Sequence, residues 1–139
     1  MNVKKIAIWT VEVEDRAGAL TEPLKALAGA GADLSFVLAR RQPDHPGKGI
    51  LFVSPIQSPQ EAAARQAKFT RRSDVVGVLA EGNNKPGLGV ALTQAVGSAG
   101  LNMRALSAHV IGKTFSVLFA FDNDADADKG IQALKAVKD

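Results

Sequence analysis

Two short runs hold the residue types that could bind a charged small molecule: EDRAGAL at Glu14–Leu20 and NNKPGLG at Asn83–Gly89. Asp15 and Asn84, Arg16 and Lys85, and Gly18 and Gly87 match at one constant offset of 69 (84 − 15). Each run sets a polar residue and a cation ahead of a glycine, and an apolar helical stretch comes after it. A helix start carries unpaired backbone N–H groups and about half a positive charge. Glycine there lets a ligand approach the backbone closely. The N–H groups of Gly18, Ala19 and Leu20 are therefore placed to receive a carboxylate, and Asp15 to take an ammonium group. The chemistry is that of a receptor for a free amino acid. The bland alternative is an aspartate that caps, a glycine that turns, and no ligand.

Other residues offer less. His45 lies in a Pro-rich turn and His109 late in a strand, neither with a carboxylate pair at metal-ligand spacing. Ser107 and His109 share a strand face, but a Cβ separation near about 7 Å predicts no direct activation. Asp122, Asp124, Asp126 and Asp128 lack the glycine and terminal glutamate of a calcium loop and read as turn and cap carboxylates. Gly87–Gly89 is followed by no Gly-Lys-Ser/Thr, so no phosphate loop is expected. The chain has no cysteine, which excludes disulfides, thiolate metal sites and a cysteine nucleophile. No catalytic residue, metal or cofactor is expected, and the protein reads as a non-enzyme.

The elements that must carry the two turns are set by periodicity. Ile6–Val13 alternates as a strand with Trp9, Val11 and Val13 on one face. Leu20, Leu24, Leu27 and Ala28 recur at helical spacing, and Gly29 and Gly31 stop that helix. Strands are expected at Asp33–Arg41 and Ile50–Ile56, around a Pro/Gly-rich turn at Gln42–Gly49. A helix opens at Ser58 as N-cap, with Pro59 first and Glu61 closing a capping box, and runs to Phe69. The order then restarts. Val75–Ala80 is a strand, Leu88–Ala99 a helix stopped by Gly100, Asn102–Ile111 and Thr114–Phe121 strands about Gly112–Lys113, and a last helix near Asp126 runs to Val137. Phe115, Val117, Phe119 and Phe121 form a core stripe.

The chain thus spells β-α-β-β-α twice, which argues for duplication. At the offset of 69, Glu12 meets Glu81, Gly31 meets Gly100, and Asp33 meets Asn102. Past Ala108 the match Lys48–Lys113 sets an offset of 65, because the first hairpin loop is longer.

Composition is that of an ordinary soluble domain: 139 residues, 46% hydrophobic, 22% charged, net charge +3. The basic residues are scattered apart from Arg40–Arg41 and Arg71–Arg72, and there is no Tyr, so nucleic-acid binding is not expected. No apolar run approaches the roughly 20 residues of a membrane span. The first residues read as a strand and not as a signal peptide, since the apolar run turns charged at Glu12. The cytoplasm is the expected location.

The stretches VEVEDRAGALTEPLKALAGAGADLSFVLARR and VVGVLAEGNNKPGLGVALTQAVGSAGLNMRALSAHV each resemble an ACT domain, a ferredoxin-like regulatory module that senses small ligands, most often amino acids. The resemblance covers nearly the whole chain. It implies an α+β fold of two ferredoxin-like units side by side, residues 1–72 and 73–139, mainly antiparallel with helices on one face. It also implies a ligand held between units by the first strand–helix loop of one and the second strand of its neighbour. On this chain those are Asp15, Arg16, Ala17, Gly18, Ala19 and Leu20, with Asn83, Asn84, Lys85, Pro86, Gly87 and Leu88, and the strand starts Asp33–Leu34 and Asn102–Met103. The expected function is a non-catalytic module that binds an amino acid and controls an effector protein. The alternative is a protein–protein interaction module of the same fold without a ligand.

Three departures stand out. Each family unit ends in a fourth strand, for which this chain has room only once, at Asp74–Gly82. An uncovered sheet edge invites pairing, so a homodimer is expected. Asn84 replaces the acidic Asp15, which predicts a weaker second site. Pro23 is awkward in a helix begun at Gly18, and a start at Thr21 as N-cap relieves it.

Overall fold

The computed structural model describes residues 1–138. Its contacts divide the chain into two compact units, Ala7–Arg72 and Met1–Ile6 with the residues from Ser73 onward. The sequence reading places the first six residues with the first unit. They group with the second, because Val3 is buried in that unit's core and Met1 packs on Gly82.

The first unit holds most of β1 (Asn2–Glu14), α1 (Thr21–Gly29), β2 (Phe36–Arg41), β3 (Lys48–Ser54) and α2 (Glu61–Gln66, after a 3-10 turn at Ser58–Gln60). The second holds most of β4 (Thr70–Asn83), α3 (Leu88–Ser98), β5 (Ala105–Ile111), β6 (Thr114–Phe121) and α4 (Asp124–Lys135). Strand order is β2-β3-β1-β4 in the first unit and β5-β6-β4-β1 in the second. β1 and β4 appear in both because each is long, 13 and 14 residues, and is divided at its start. The opening of β4 (Thr70–Arg72) serves as fourth strand of the first unit, and the opening of β1 as fourth strand of the second.

The paired strands β1–β3, β2–β3, β4–β6 and β5–β6 are all antiparallel. Alternation puts one face of each sheet against its own helices. In the first unit Trp9, Val11, Leu51 and Val53 pack with Leu27, Ala64 and Phe69. Arg65 of α2 lies over the Trp9 ring at 4.9 Å, a stacking that favours a guanidinium on an indole face. In the second unit Val78, Ala80, Phe115, Val117, Phe119 and Phe121 pack with Leu92, Val96, Ala127 and Leu134. The phenylalanine stripe is core, as its spacing predicts. The fold is α+β and antiparallel, with the helices of each unit on one face of its sheet.

Helix ends depart from the sequence reading in instructive ways. α1 begins at Thr21 with Leu20 as N-cap and no side-chain cap. This places Pro23 in the first turn, where its missing N–H costs nothing. The capping box of the second helical segment lies one residue early, with the Gln57 N–H donating to Gln60 Oε1 at 2.8 Å, not at Ser58/Glu61. α4 is capped by Asn123, whose Oδ1 accepts from the Asp126 N–H at 2.8 Å. Gly31 (φ 83) and Gly100 (φ 77) close α1 and α3, with Ala32 N–H bonded to Leu27 O and Leu101 N–H to Val96 O. This left-handed stop explains why glycine recurs there.

Register also corrects the repeat. Glu14 pairs with Lys48, and Asn83, its equivalent, with Thr114. The second-hairpin offset is thus 66 and not 65, and the match of Lys48 to Lys113 is a coincidence of type.

Candidate functional site

Both glycine turns have the backbone the sequence implies: Gly18 has φ 83 and Gly87 φ 84. An L side chain rarely adopts this region, so glycine is required at each. Each turn is tied to its own hairpin in the same way, Asp15 N–H to Gly47 O at 3.0 Å and Asn84 N–H to Lys113 O at 2.9 Å. Beyond the glycines the two turns differ. Gly87 is itself the N-cap of α3, and its carbonyl accepts from Ala91, so the amides just after it open the helix. In the first unit Gly18 stands three residues before α1. There the Ala19 N–H donates to Arg16 O, and the Thr21 N–H to Gly18 O. Of the three amides expected to meet a carboxylate, Ala19 is therefore already used. Pro23 causes the difference: α3 has Leu92 at the equivalent place, whereas a helix begun as early as α3 would need the N–H that Pro23 lacks.

A cleft lies at each turn. In the first unit it measures about 210 Å³, with Asp15, Arg16, Ala19 and Leu20 on one side and Ala39, Arg40 and Arg41 on another. Val13, Glu14, Gly49 and Ile50 complete it. Arg41 Nε donates to Asp15 Oδ2 at 2.9 Å, so the carboxylate expected to meet an ammonium already has a cation on it. Glu14 is bound by Lys48 Nζ at 2.6 Å, and that contact holds its carboxyl below the ordinary value of 4.5. Glu12, just beyond, accepts from Gln42 Nε2 at 3.0 Å. The acids here are paired, while Arg16 donates to the carbonyl of its neighbour Ala17, makes no ion pair with another described residue, and adds a weak electrostatic pull on Glu14. The balance at this cleft is basic. Arg16 and Ala19 also border a hollow of about 320 Å³ on the helix side of the turn, with Glu22 and Lys68.

The second cleft is larger, about 490 Å³, lined by Met1, Asn2, Glu81, Gly82, Asn83, Asn84, Lys85 and Leu88. The two clefts also differ by a size exchange across one strand pair. The first unit pairs Val13 with Gly49, and the second pairs Gly82 with Phe115. Val13 and Gly82 occupy equivalent places and each lines its cleft, but Met1 and Phe115 close on Gly82 and fill the place of the missing side chain. A Cβ on Gly82 would stand 3.0 Å from both Met1 and Phe115. The Glu81 carboxylate, half-buried, and the exposed Lys85 ammonium make no ion pair or hydrogen bond to another described residue. Glu81 and Lys85, neither of them paired to another described residue, thus line this cleft together with Leu88 at the opening of α3.

The strand starts lie elsewhere. Asp33 and Leu34 precede β2, and Asn102 and Met103 precede β5, in loops rather than strands. Leu34 and Met103 pack against the two cores, and Asp33 and Asn102 are exposed. None of the four lines either cleft. Ala17 and Pro86 are exposed within the turns. Sequence reasoning passed over Arg41, Glu81 and Gly82. Antiparallel topology returns the end of β2 to the end of β1, a signal that could have placed Arg41 beside Asp15.

Ser107 Oγ and His109 Nε2 lie 3.2 Å apart, closer than the Cβ spacing predicts, because the two side chains lean along the strand toward each other. No carboxylate orients this imidazole among the described residues, so the pair lacks the third group of a nucleophile–base–acid set. Asp124 and Asp128 grip Lys5 Nζ at 3.1 and 2.7 Å, and Asp122 lies 3.7 Å from Arg104. No group of three or more metal-ligating side chains occurs among the described residues. No described helix is long and apolar enough to cross a membrane.

No family model and no curated protein matches the chain. Solved structures do. A Bacteroides thetaiotaomicron protein is 23% identical with a TM-score of 0.73, over 97% of this chain and 90% of that one. The ligand-free regulatory subunit of aspartate kinase from Thermus thermophilus is 18% identical with a TM-score of 0.68, over 100% and 99%. The corresponding subunit from Thermus flavus is 17% identical with a TM-score of 0.62, over 98% and 94%. At such identities the likeness is one of fold: the chain has the ACT-type fold of these regulatory subunits.

Proposed function

We propose that the protein is a non-catalytic, tandem ACT-type regulatory module that binds a free amino acid and acts as a homodimer on an effector protein, in the cytoplasm. The second cleft is its principal receptor. The observation that carries the reading is the meeting there of Glu81, Lys85 and the opening of α3 beside an unfilled space. Glu81 receives the ligand's ammonium, while Lys85 and the amides after Gly87 receive its carboxylate. The first cleft, with Asp15 already paired to Arg41 and Arg16 at its rim, favours an anionic group and is the weaker site for a zwitterion. This reverses the order expected from Asp15 and Asn84 alone. Binding controls the effector only by its differential affinity for two arrangements of the protein. The aspartate kinase regulatory subunits that share the fold make an amino-acid signal a natural subject for the first screen.

A thermal-shift screen of the common amino acids tests the reading, since a ligand at 100 times its Kd stabilises by about 2.7 kcal/mol. At least one amino acid at millimolar concentration is expected to raise the midpoint. Glu81→Gln should abolish that shift, Asp15→Ala should leave most of it, and neither should move the unliganded midpoint appreciably. A screen without a hit would leave the same fold as a protein–protein interaction module.

A further inference from the structure

Charge is placed differently at the two turns. In the first unit Glu14 is held by Lys48 and Asp15 by Arg41. The second unit replaces both members of each ion pair with neutral residues. Asn83 faces Thr114 across the β4–β6 ladder as Glu14 faces Lys48 across β1–β3. Asn84 stands where Asp15 does, and Val110, paired with Phe115, stands where Arg41 pairs with Gly49. The second cleft therefore keeps one acidic side chain, Glu81, and one basic side chain, Lys85.

Those two charges answer the ammonium and carboxylate that every amino acid carries. Neither is left for a charged ligand side chain, which would lose its water without gaining a counterion. What remains is amide. Three of the chain's five asparagines, Asn2, Asn83 and Asn84, line this cleft. Their side chains make no hydrogen bond to another described residue, whereas Asn123 uses its own to cap α4. Glu81 and Asn83, two residues apart on β4, share one face about 7 Å apart, so a ligand held by its ammonium reaches the amide with its side chain. An amide that a ligand covers without pairing costs about tenfold in affinity. An apolar side chain pairs with none. A hydroxyl brings one donor on a single atom. A primary carboxamide brings two N–H donors and a carbonyl acceptor on separate atoms and can engage two amides at once. Met1 and Leu88 also line the cleft and suit the methylenes that carry such a group.

We infer that the second cleft selects an amino acid with a primary carboxamide side chain, glutamine or asparagine. This selectivity rests on the receptor role proposed above and narrows its ligand. Calorimetric titration of the full chain with ligands of matched shape tests it. Glutamine should bind at least tenfold more tightly than glutamate, which adds a charge, and than methionine, which has the length without the amide. Asparagine should exceed aspartate and leucine by a similar factor. Asn83→Ala and Asn84→Ala together should bring glutamine and asparagine down to the level of methionine and leucine. Asn83→Asp keeps the size of the side chain and adds an anion, so it should raise the affinity for lysine relative to glutamine at least tenfold. A charged, apolar or hydroxyl side chain bound as tightly as the amides would overturn the selectivity and leave the receptor standing, as would an amide preference that survives the double substitution or a lysine affinity that Asn83→Asp does not raise. Binding of no amino acid would overturn both.

Discussion

Arg41 Nε on Asp15 Oδ2, at 2.9 Å, shows how one neighbour changes what a residue offers. By type Asp15 is an ammonium acceptor, but beside Arg41 it also serves to hold a guanidinium at the rim. The adjacent pair Glu14–Lys48 makes a similar point and gives a pH test. The Lys48 hydrogen bond holds the Glu14 carboxyl below its ordinary 4.5, and Glu14 holds the Lys48 ammonium above its ordinary 10.5. A lowered acid stabilises the fold fully above its ordinary value and loses that contribution as pH falls through the lowered one. A raised base keeps its contribution below its ordinary value and loses it as pH rises through the raised one. Wild type should therefore exceed Lys48→Met in stability by a small, salt-sensitive margin at pH 7. The margin should shrink as pH falls below 4.5 and again as it rises above 10.5. Urea unfolding of both proteins at about pH 3, 7 and 11.5 checks the sign at each end. An equal margin in acid and at neutrality would contradict it.

At the scale of elements, packing overrides propensity most clearly in α4. Gly130 lies inside that helix, where replacement by alanine ordinarily gains about 1 kcal/mol. Here a Cβ would stand 2.8 Å from two atoms of the Phe121 ring, and that ring is fixed by stacking on Phe119 at 6.4 Å. Overpacking costs about 1–3 kcal/mol, so Gly130→Ala should lower the thermal midpoint by several degrees, as differential scanning fluorimetry would read. A rise would mean that the ring moves freely. The same competition decides what was legible in the sequence. The left-handed glycines, the tight hairpin and the apolar helix stripes could be read because each has a local cause. The full lengths of β1 and β4 could not. Lys4, Lys5 and Arg71–Asp74 break the alternation, since their polar side chains face solvent or ion pairs while the backbone continues in its ladder. Glu81 went unremarked as a cleft residue because its equivalent, Glu12, is occupied by Gln42. Only the three-dimensional pairing tells a free acid from a paired one.

On the scale of the whole molecule, the divided strands mean that the second unit is built from two separate pieces of chain, whereas the first is one continuous piece, Ala7–Arg72. Val3 is buried in the second core, and Lys5 binds Asp124 and Asp128 of α4. Deleting residues 2–6 should therefore damage a region about 70 or more positions away in sequence. Amide exchange should quicken in β4 from Val76 to Asn83 and in α4, and change far less in α1 and α2. Exchange that quickens equally in all four helices would show that the opening of β1 serves both units alike. The sequence reading, which cut the chain once at 72/73, could not see this, because a swap of strand openings leaves no mark on periodicity. The swap also sets a timetable for synthesis. The opening of β1 leaves the ribosome before β4, which begins 68 positions later (70 − 2), about 3–14 s at about 5–20 residues per second. Through that interval Val3 and the bare amides beside it wait in water without a template, and the newborn chain is at its most exposed to nascent-chain chaperones and proteases.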